Sequence, residues 1–251
     1  MSVDLRRSPR LYVDAPLAAG AMVELLADQV HYLASVLRLG SGDSVRLFNG
    51  RDGEWLSAVA ELSRKRGKLE ARRQLRRQEG LPDIHYLFAP LKHARLDYMA
   101  QKATELGAAR LAPVLTAHTV ARRVNLDRLR ANAVEAAEQC NLLAVPEVVE
   151  PQDLSDVLDT WDSSRRLIYC DEAAPLGNSL AALQGLAGPG GPVPPLAVLV
   201  GPEGGFSAQE QQRLRAHPDV TAISLGPRVM RADTAAIAAL TLVQAACGDW
   251  R

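Results

Sequence analysis

Two short loops of the 251-residue chain hold residues whose types could do chemistry, and each loop follows an apolar run. In the first, VGPEGGFS, the acid Glu203 stands in a turn of glycines and a proline. In the second, SLGPRVMRADT, the polar residues Arg231, Asp233 and Thr234 precede an apolar helix pattern. Glycine lets backbone approach a ligand without a Cβ in the way, and open α/β sheets bind ligands beyond the carboxyl ends of their strands. The two loops are therefore predicted to form one pocket.

The charged residues of these loops each have two interpretations. Glu203 and Asp233 could act as general bases, or their carboxylates could cap backbone N–H groups at a turn or helix start. Arg231 could stabilise an anion that develops during a reaction, or it could pair with Asp233 or with a phosphate. The chain has neither a G-x-G-x-x-G after a strand nor a G-x-x-x-x-G-K-[ST] motif, so no nucleotide-phosphate cradle is predicted.

The segments that must position these loops alternate between strand-like and helix-like patterns after residue 83, which predicts an α/β domain with a mainly parallel sheet. Predicted strands cover residues 84–89, 110–115, 166–170, 196–200 and 222–225. Predicted helices cover residues 95–106, 126–140, 153–161, 207–216 and 234–246. The last helix is apolar on nearly every side, which is typical of a helix covered by its own sheet and by a second subunit.

The N-terminal part has a different pattern, with short strand-like runs at residues 45–48, 55–62 and 68–75 and a helical repeat in ADQVHYLASVLRLG. The turn NGRDG between the first two runs is a hairpin signal. These features predict a small β-barrel in residues 1–77. The Gly-Pro-containing stretch EGLPD separates it from a second domain, residues 82–251.

Positive charge is concentrated in the N-terminal part, since eight of the fourteen residues 64–77 are Lys or Arg. This run is either a solvated strand or a face that contacts nucleic-acid phosphates. Residues 1–80 carry 14 Lys/Arg against 10 Asp/Glu, and residues 81–251 carry 15 against 19. A polyanion is therefore expected to bind mainly to the first segment. The candidate phosphate contacts are Arg6, Arg7, Arg10, Arg38, Arg72 and Arg73.

The three cysteines, Cys140, Cys170 and Cys247, are far apart and show no metal-ligand spacing, so neither a disulfide framework nor a metal site is predicted. The N-terminus lacks the apolar core of a signal peptide, and no apolar window is long enough to span a bilayer. A soluble cytoplasmic protein is the expectation.

VGPEGGFS together with LGPRVMRADTA resembles the RsmE family of SPOUT-class methyltransferases, which methylate N3 of a uridine in 16S, the small-subunit ribosomal RNA, with S-adenosylmethionine. HYLASVLRLGSGDSVRLFNG is similar to the family's N-terminal PUA-like segment. LDYMAQKATELGAARLAP and VEAAEQC are similar to its middle blocks, so the resemblance covers nearly the whole chain.

The resemblance implies a C-terminal α/β domain with a deep trefoil knot, a PUA-like domain before it, and a homodimer that packs through the knotted region. The knot loops, residues 200–205 and 225–234, would hold the cofactor. Arg231, Glu203 and Asp233 would stand nearest the chemistry. The cofactor-binding residues would be Val200, Gly201, Pro202, Glu203, Gly204, Gly205, Ser224, Leu225, Gly226, Val229, Met230, Arg231 and Thr234.

Two positions depart from the family's pattern. Asp233 stands where the family has Glu, which shortens the reach of the carboxylate by one methylene, and Asn141-Leu142-Leu143 replace an Arg that often follows the EQ pair. Glu138 and Gln139 of that pair could line the pocket or be ordinary helix-surface residues. Two other functions stay open at this stage: a non-catalytic RNA-binding factor and a 2′-O-ribose methyltransferase.

Overall fold

The computed structural model describes residues 8–92, 94–175, 177–187 and 192–250, and these divide into two compact units. The first unit comprises the described residues up to Gly80 together with Ala137–Val145. The second comprises Leu81–Ala136 and the described residues from Pro146 onwards. Within the described ranges, none of the helices has the length and apolar character needed to cross a membrane.

The first unit is built on a five-stranded sheet in the order β1-β3-β4-β5-β2. The strands are β1 (Arg10–Tyr12), β2 (Met22–Glu24), β3 (Ser44–Phe48), β4 (Glu54–Leu62) and β5 (Gly67–Arg76). Pairing is antiparallel except between β1 and β3. The short helix α1 (Ala27–His31) continues as a π-helical turn, Tyr32–Val36. All five strands contribute buried side chains to one apolar core, which removes this surface from water and stabilises the unit.

The basic strand β5 contains a bulge that exposes two neighbouring arginines. Ala71 pairs with Ser57 and Arg73 pairs with Leu56, so Arg72 has no partner across the ladder. Side chains of a regular strand alternate between faces, but a bulge breaks that alternation. Arg72 and Arg73 are consequently both exposed, and Arg72 pairs with Glu70 at 3.0 Å.

Arg10 is buried, and its predicted contact with an RNA phosphate is wrong. Its Nε donates to Glu54 Oε1 at 2.6 Å, and the side chains are only 3% and 4% exposed. Its Nη1 and Nη2 donate to the carbonyl oxygens of Ala137, Glu138 and Leu142. Burial lowers the pKa of Arg10, although the hydrogen bond to Glu54 opposes that shift. The guanidinium thus satisfies helix-end carbonyls inside the unit and cannot reach a ligand.

The EQ pair, Glu138 and Gln139, and Asn141 after it lie at the end of α3. Glu138 is half-buried, and its Oε1 accepts a hydrogen bond from the backbone N–H of Tyr12 at 2.8 Å. Gln139 is exposed. Asn141 takes a left-handed conformation with φ 58°, which Asn tolerates at the end of a helix, and its carbonyl accepts from Arg76. The left-handed backbone after α3 therefore explains why Asn is accommodated at position 141.

The second unit contains a parallel sheet in the order β12-β10-β11-β6-β7-β8, and the short β9 also pairs with β7. These strands are β6 (Ile84–Phe88), β7 (Arg110–Leu115), β8 (Glu147–Val148), β9 (Gln152–Asp153), β10 (Arg166–Cys170), β11 (Leu196–Val200) and β12 (Val220–Ile223). The helices are α2 (Ala94–Glu105), α3 (Leu126–Gln139), α4 (Leu154–Asp159), α5 (Ser179–Gln184), α6 (Ala208–Ala216) and α7 (Ala232–Cys247); a 3₁₀ turn, Gly185–Ala187, follows α5. The α/β prediction is confirmed; α5 was not predicted.

Strand order explains where a ligand can bind. β10 lies between β12 and β11, so the loops that follow β11 and β12 flank the end of β10. β11 is buried at every position, as expected for an apolar strand covered on both faces. The carboxyl ends of all three strands lie along the same edge because the sheet is parallel.

Candidate functional site

A cavity of about 360 Å³ lies at the carboxyl ends of β10, β11 and β12. The two loops predicted to share a pocket both line it, so the structure brings them together. Nine of the residues predicted to bind a cofactor line the cavity: Val200, Gly201, Pro202, Glu203, Gly205, Leu225, Gly226, Val229 and Met230. The volume lies within the ordinary range for small-molecule sites.

The loop after β11 is shaped by close packing under its turn. A Cβ on Gly201 would come within 2.5 Å of the Phe206 ring, which is buried and stacks edge-on against Tyr169. The turn closes with a hydrogen bond from Gly205 N to Pro202 O at 2.9 Å. α6 then begins with a capping box, in which Ser207 Oγ accepts from Glu210 N and the Glu210 carboxylate accepts from Ser207 N. Local sequence therefore fixes both ends of this loop.

The loop after β12 is held at its beginning by Ser224 and Gly226. Ser179 Oγ donates to Ser224 O at 2.6 Å, and Gly226 N donates to Ser224 Oγ at 3.2 Å. Gly226 has φ +107°, a conformation that L side chains rarely adopt, and a Cβ there would point into open space. The glycine thus gives the loop its bend and leaves the cavity wall without a side chain.

The end of β10 forms the part of the site that the sequence analysis missed. Tyr169, Cys170, Asp171 and Glu172 all line the cavity. Asp171 is buried and receives two hydrogen bonds from Arg215, at 2.8 and 3.1 Å, whereas Glu172 is exposed. Burial raises the pKa of the Cys170 thiol to about 12, so it stays protonated at neutral pH. Two adjacent acids, Asp171 and Glu172, directly after the predicted strand 166–170 were the sequence pattern that could have indicated this part of the site.

Four predicted cofactor residues do not line the cavity: Gly204, Ser224, Arg231 and Thr234. A Cβ on Gly204 would face His118, whose Cβ would lie 3.4 Å away, and not the cavity. Ser224 shapes its loop through the hydrogen bonds described above. Arg231 is the N-cap residue of α7, and its neighbours Met230 and Ala232 both line the cavity. Thr234 is exposed in the first turn of α7.

Arg95 of α2, which the sequence analysis did not single out, links the two loops. It forms an ion pair with Glu203 of the first loop. Its Nε and Nη2 also donate to the two carboxylate oxygens of Asp233, at 3.1 and 3.3 Å. One guanidinium therefore binds both acids that the sequence offered as general bases.

Asp233 differs from a free carboxylate as a result. Burial alone would raise the pKa of Asp233, but hydrogen bonds from Arg95 and from the backbone N–H of Thr234 outweigh it and lower that pKa. A carboxylate with a lowered pKa is a weak proton acceptor. Arg231 is exposed, and among the described residues its side chain has no hydrogen-bond or ion-pair partner. Its charge is available to a ligand.

The remaining predicted RNA contacts belong to the first unit. Arg6 and Arg7 lie outside the described residues. Arg38 is exposed and takes a left-handed conformation with φ 56°, directly after the helical segment. Arg72 and Arg73 are exposed on β5, as described above. No group of three or more His, Cys, Asp or Glu in the described ranges is arranged to hold a metal ion.

Comparison with known proteins gives matches over both parts of the chain. A family described as "RNA methyltransferase domain" matches residues 78–244, and one described as "RNA methyltransferase PUA domain" matches residues 25–71. The ribosomal RNA small subunit methyltransferase E of Rickettsia conorii is 31% identical over 94% of this chain and 94% of its own. The protein of the same name from Mycobacterium tuberculosis is 31% identical over 95% of this chain and 92% of its own.

Solved structures give the same result. The crystal structure of ribosomal RNA small subunit methyltransferase E from Neisseria gonorrhoeae, bound to S-adenosyl methionine, superposes with a TM-score of 0.83 at 27% identity, covering 98% of this chain and 100% of that one. A putative methyltransferase from Legionella pneumophila, in complex with the same cofactor, has a TM-score of 0.80 at 27% identity, covering 97% and 99%. The predicted pairing of a PUA-like domain with a C-terminal parallel sheet is confirmed; the trefoil knot stays a prediction.

Proposed function

The chain belongs to the ribosomal RNA small subunit methyltransferase E family, and from this premise we propose that it methylates N3 of a uridine in 16S rRNA with S-adenosylmethionine. The observation that carries the proposal is the cavity lined by both glycine-containing loops, in a chain whose solved relative at TM-score 0.83 is bound to that cofactor. A 16S rRNA substrate places the reaction in the cytoplasm.

The residues of the cavity fit the cofactor. Gly226 contributes no side chain to the lining, and Asp171 and Glu172 contribute carboxyl groups. The first loop lines the cavity with residues 200–203 and 205. Such a mixture of apolar walls and a few polar groups is typical of small-molecule sites. When bound, S-adenosylmethionine supplies a methyl group that its sulfonium has already activated. The chain's tasks are then to align the acceptor and to stabilise charge on it.

Uracil N3 is the acceptor that this arrangement supports. The N3 proton is weakly acidic because its anion is delocalised over two carbonyl oxygens, whereas a ribose hydroxyl needs a stronger base. Both nearby acids, Glu203 and Asp233, are paired with Arg95. The guanidinium of Arg231, which has no partner among the described residues, would stabilise the uracil anion, and the proton would leave to water. Bound S-adenosylmethionine would supply the methyl group to N3, and the electron pair of the broken carbon–sulfur bond would stay on sulfur.

The test is to incubate the purified chain with S-adenosylmethionine and small ribosomal subunits that lack the modification, then to analyse the rRNA nucleosides by mass spectrometry. We expect one added methyl group on the base fragment of a uridine. Methyl on the ribose fragment would show 2′-O-methylation. Absence of product, together with no cofactor binding by calorimetry, would show a non-catalytic RNA-binding factor.

Gly226→Ala is expected to weaken S-adenosylmethionine binding roughly 10- to 100-fold, because a residue forced into a sparsely populated backbone conformation costs about 1–3 kcal/mol. Gly204→Ala is the matched control, since its Cβ would meet only His118 at 3.4 Å and its φ is not in the left-handed region. We expect the control to bind within a few-fold of the wild type in calorimetry. A larger loss in the control than in Gly226→Ala would contradict the assigned cavity wall.

The homodimer is part of this proposal and is supported by the surface of α7. Ile237, Ala238, Thr241 and Leu242 are only half-buried within the chain, on a helix that is apolar on nearly every side. We expect light scattering to give a mass of about 54 kDa, twice the 27.1 kDa of the chain. A concentration-independent mass of one chain would exclude the dimer.

Phosphate contacts in the first unit are assigned to Arg38, Arg72 and Arg73, which are all exposed. Such contacts fix the orientation of the RNA without reading its sequence. A uridine modified at its pairing edge must be unpaired or splayed out when it reacts, so the substrate is expected to present this base outside a helix.

A further inference from the structure

The two edges of the parallel sheet differ in how their cations are paired. At the amino edge, where the strands begin, the arginines form ion pairs with nearby carboxylates. These pairs are Arg110–Glu147 at 2.7 Å, Arg165–Asp83 at 2.8 Å and Arg166–Asp219 at 3.3 Å. The positive charge at this edge is therefore balanced within the chain.

The carboxyl edge is different. Lys92 follows β6, Arg122 and Arg123 follow β7, and Arg228 and Arg231 follow β12. All five side chains are exposed, and in the ranges the structure describes none has a hydrogen-bond or ion-pair partner. We call Lys92, Arg122, Arg123 and Arg228 the cationic rim; Arg231, the fifth, has the separate role of stabilising the uracil anion proposed above. The acids Glu203, Asp233 and Asp171 at the same edge are already paired, with Arg95 and Arg215.

The loop that carries Arg122 and Arg123 is attached to the cofactor loop. His118 Nδ1 lies 3.1 Å from Gly204 O and 3.0 Å from Gly205 O. Because both partners are carbonyl oxygens, Nδ1 must carry the proton and donate. The backbone N–H of Ala117 donates to Glu210 Oε1 at 2.8 Å, and Thr116 N donates to Thr119 Oγ1 at 2.8 Å. These bonds fix the β7–α3 loop next to the first cavity loop.

We propose that the cationic rim binds phosphates of the substrate RNA around the cavity, so that the second unit contacts the RNA backbone directly. This inference rests on the proposed function. Guanidinium groups match the geometry of phosphate oxygens and bind them with paired hydrogen bonds. The RNA on either side of a splayed-out uridine would pass along this edge of the sheet, because the cavity is lined by residues at the carboxyl ends of β10, β11 and β12.

The inference changes the expectation drawn from charge totals. The residues from 81 onwards carry a small excess of acid, 19 against 15, which pointed to RNA binding by the N-terminal segment. However, salt bridges at the amino edge neutralise part of that acid locally, while the rim cations have no partner within the ranges that the structure describes. Attraction of a polyanion depends on the local potential more than on the net charge of a domain.

The test compares Arg122→Ala/Arg123→Ala with Arg110→Ala/Arg130→Ala in the full chain. Both variants lose two positive charges, but Arg110 and Arg130 already pair with the exposed carboxylates of Glu147 and Asp127, so their loss has little structural cost. Binding of unmodified 16S rRNA transcript is measured at several salt concentrations. The slope of log K against log salt is expected to become shallower by about 1.4–1.8 for the rim variant, because each lost phosphate contact contributes roughly 0.7–0.9.

The outcomes separate this inference from the proposed function. The rim variant is expected to keep wild-type affinity for S-adenosylmethionine in calorimetry, because neither arginine lines the cavity. The control is expected to keep the wild-type salt slope. An unchanged slope of log K against log salt for the rim variant, or an equal change in the control, would overturn the proposed phosphate contacts of the rim. Failure of the wild-type chain to bind cofactor or to methylate would instead overturn the proposed function.

Discussion

Replacing Arg231 with alanine is expected to lower kcat by roughly 10²- to 10³-fold, the usual cost of removing one group that stabilises a developing anion. Arg231 lies at the N-cap of α7 between two residues that line the cavity, and it has no side-chain partner within the described residues. Because it does not line the cavity itself, affinity for S-adenosylmethionine is expected to change little. The loss should therefore appear in kcat at saturating cofactor and RNA.

Two further measurements separate this role from a structural one. Arg231→Lys keeps the charge and is expected to recover part of the rate. The proton on uracil N3 must be lost for reaction, so kcat is expected to rise with pH, and in Arg231→Ala this rise should move to higher pH because the uracil anion is less stabilised. A kcat within a few-fold of wild type, or an unshifted pH profile, would show that Arg231 contacts only phosphate or solvent.

Arg10→Ala is expected to lower the free energy of unfolding of the first unit by about 3–5 kcal/mol, the usual cost of removing one partner of a buried ion pair. It leaves the buried carboxylate of Glu54 with Arg46 at 3.6 Å as its remaining cation. It also removes the donors to the carbonyl oxygens of Ala137, Glu138 and Leu142. The chain has three tryptophans, so the effect is measured by urea denaturation in a Trp161→Phe/Trp250→Phe background, where Trp55, which packs against the core of this unit, is the only fluorescent tryptophan.

The matched control is Arg51→Ala, which breaks the exposed pair with Asp14 and is expected to cost less than about 1 kcal/mol. Replacing both buried partners, as Arg10→Met with Glu54→Leu, is expected to recover stability, because no unpaired charge is left in the interior. A single variant Arg10→Ala as stable as the wild type would show that water solvates Glu54 in the folded chain.

The two glycine-containing loops were predictable because turn chemistry is local. A glycine and proline cluster after an apolar run indicates a sharp bend at a strand end whatever the rest of the fold is. The carboxyl ends of parallel strands share an edge, so two such loops were expected to meet. Gly201 and Gly226 both line the cavity. Gly204 does not, and a Cβ there would face His118, which lies 86 residues earlier in the chain and binds the Gly204 carbonyl oxygen.

Other parts of the site depended on the order of strands in the sheet. β10 lies between β12 and β11, although β10, β11 and β12 follow one another along the chain. Periodicity within a segment carries no information about this order. For that reason Asp171 and Glu172 could not be placed at the cavity from the sequence alone. The same holds for Arg95, because a charged residue in the first turn of a helix has the same local sequence pattern whether it faces solvent or a distant acid.

The sequence by itself determined the segments and the turns of this protein, because hydrophobic periodicity and glycine conformation act over a few residues. Only the tertiary structure decided which charges are free. Arg10 is buried against Glu54 and helix-end carbonyls, and Arg95 pairs with both Glu203 and Asp233. The guanidinium of Arg231 has no partner in the part of the chain that the structure describes. The roles of Arg10 and Arg95 depend on partners more than 40 residues away, and those partners become neighbours only when the chain packs.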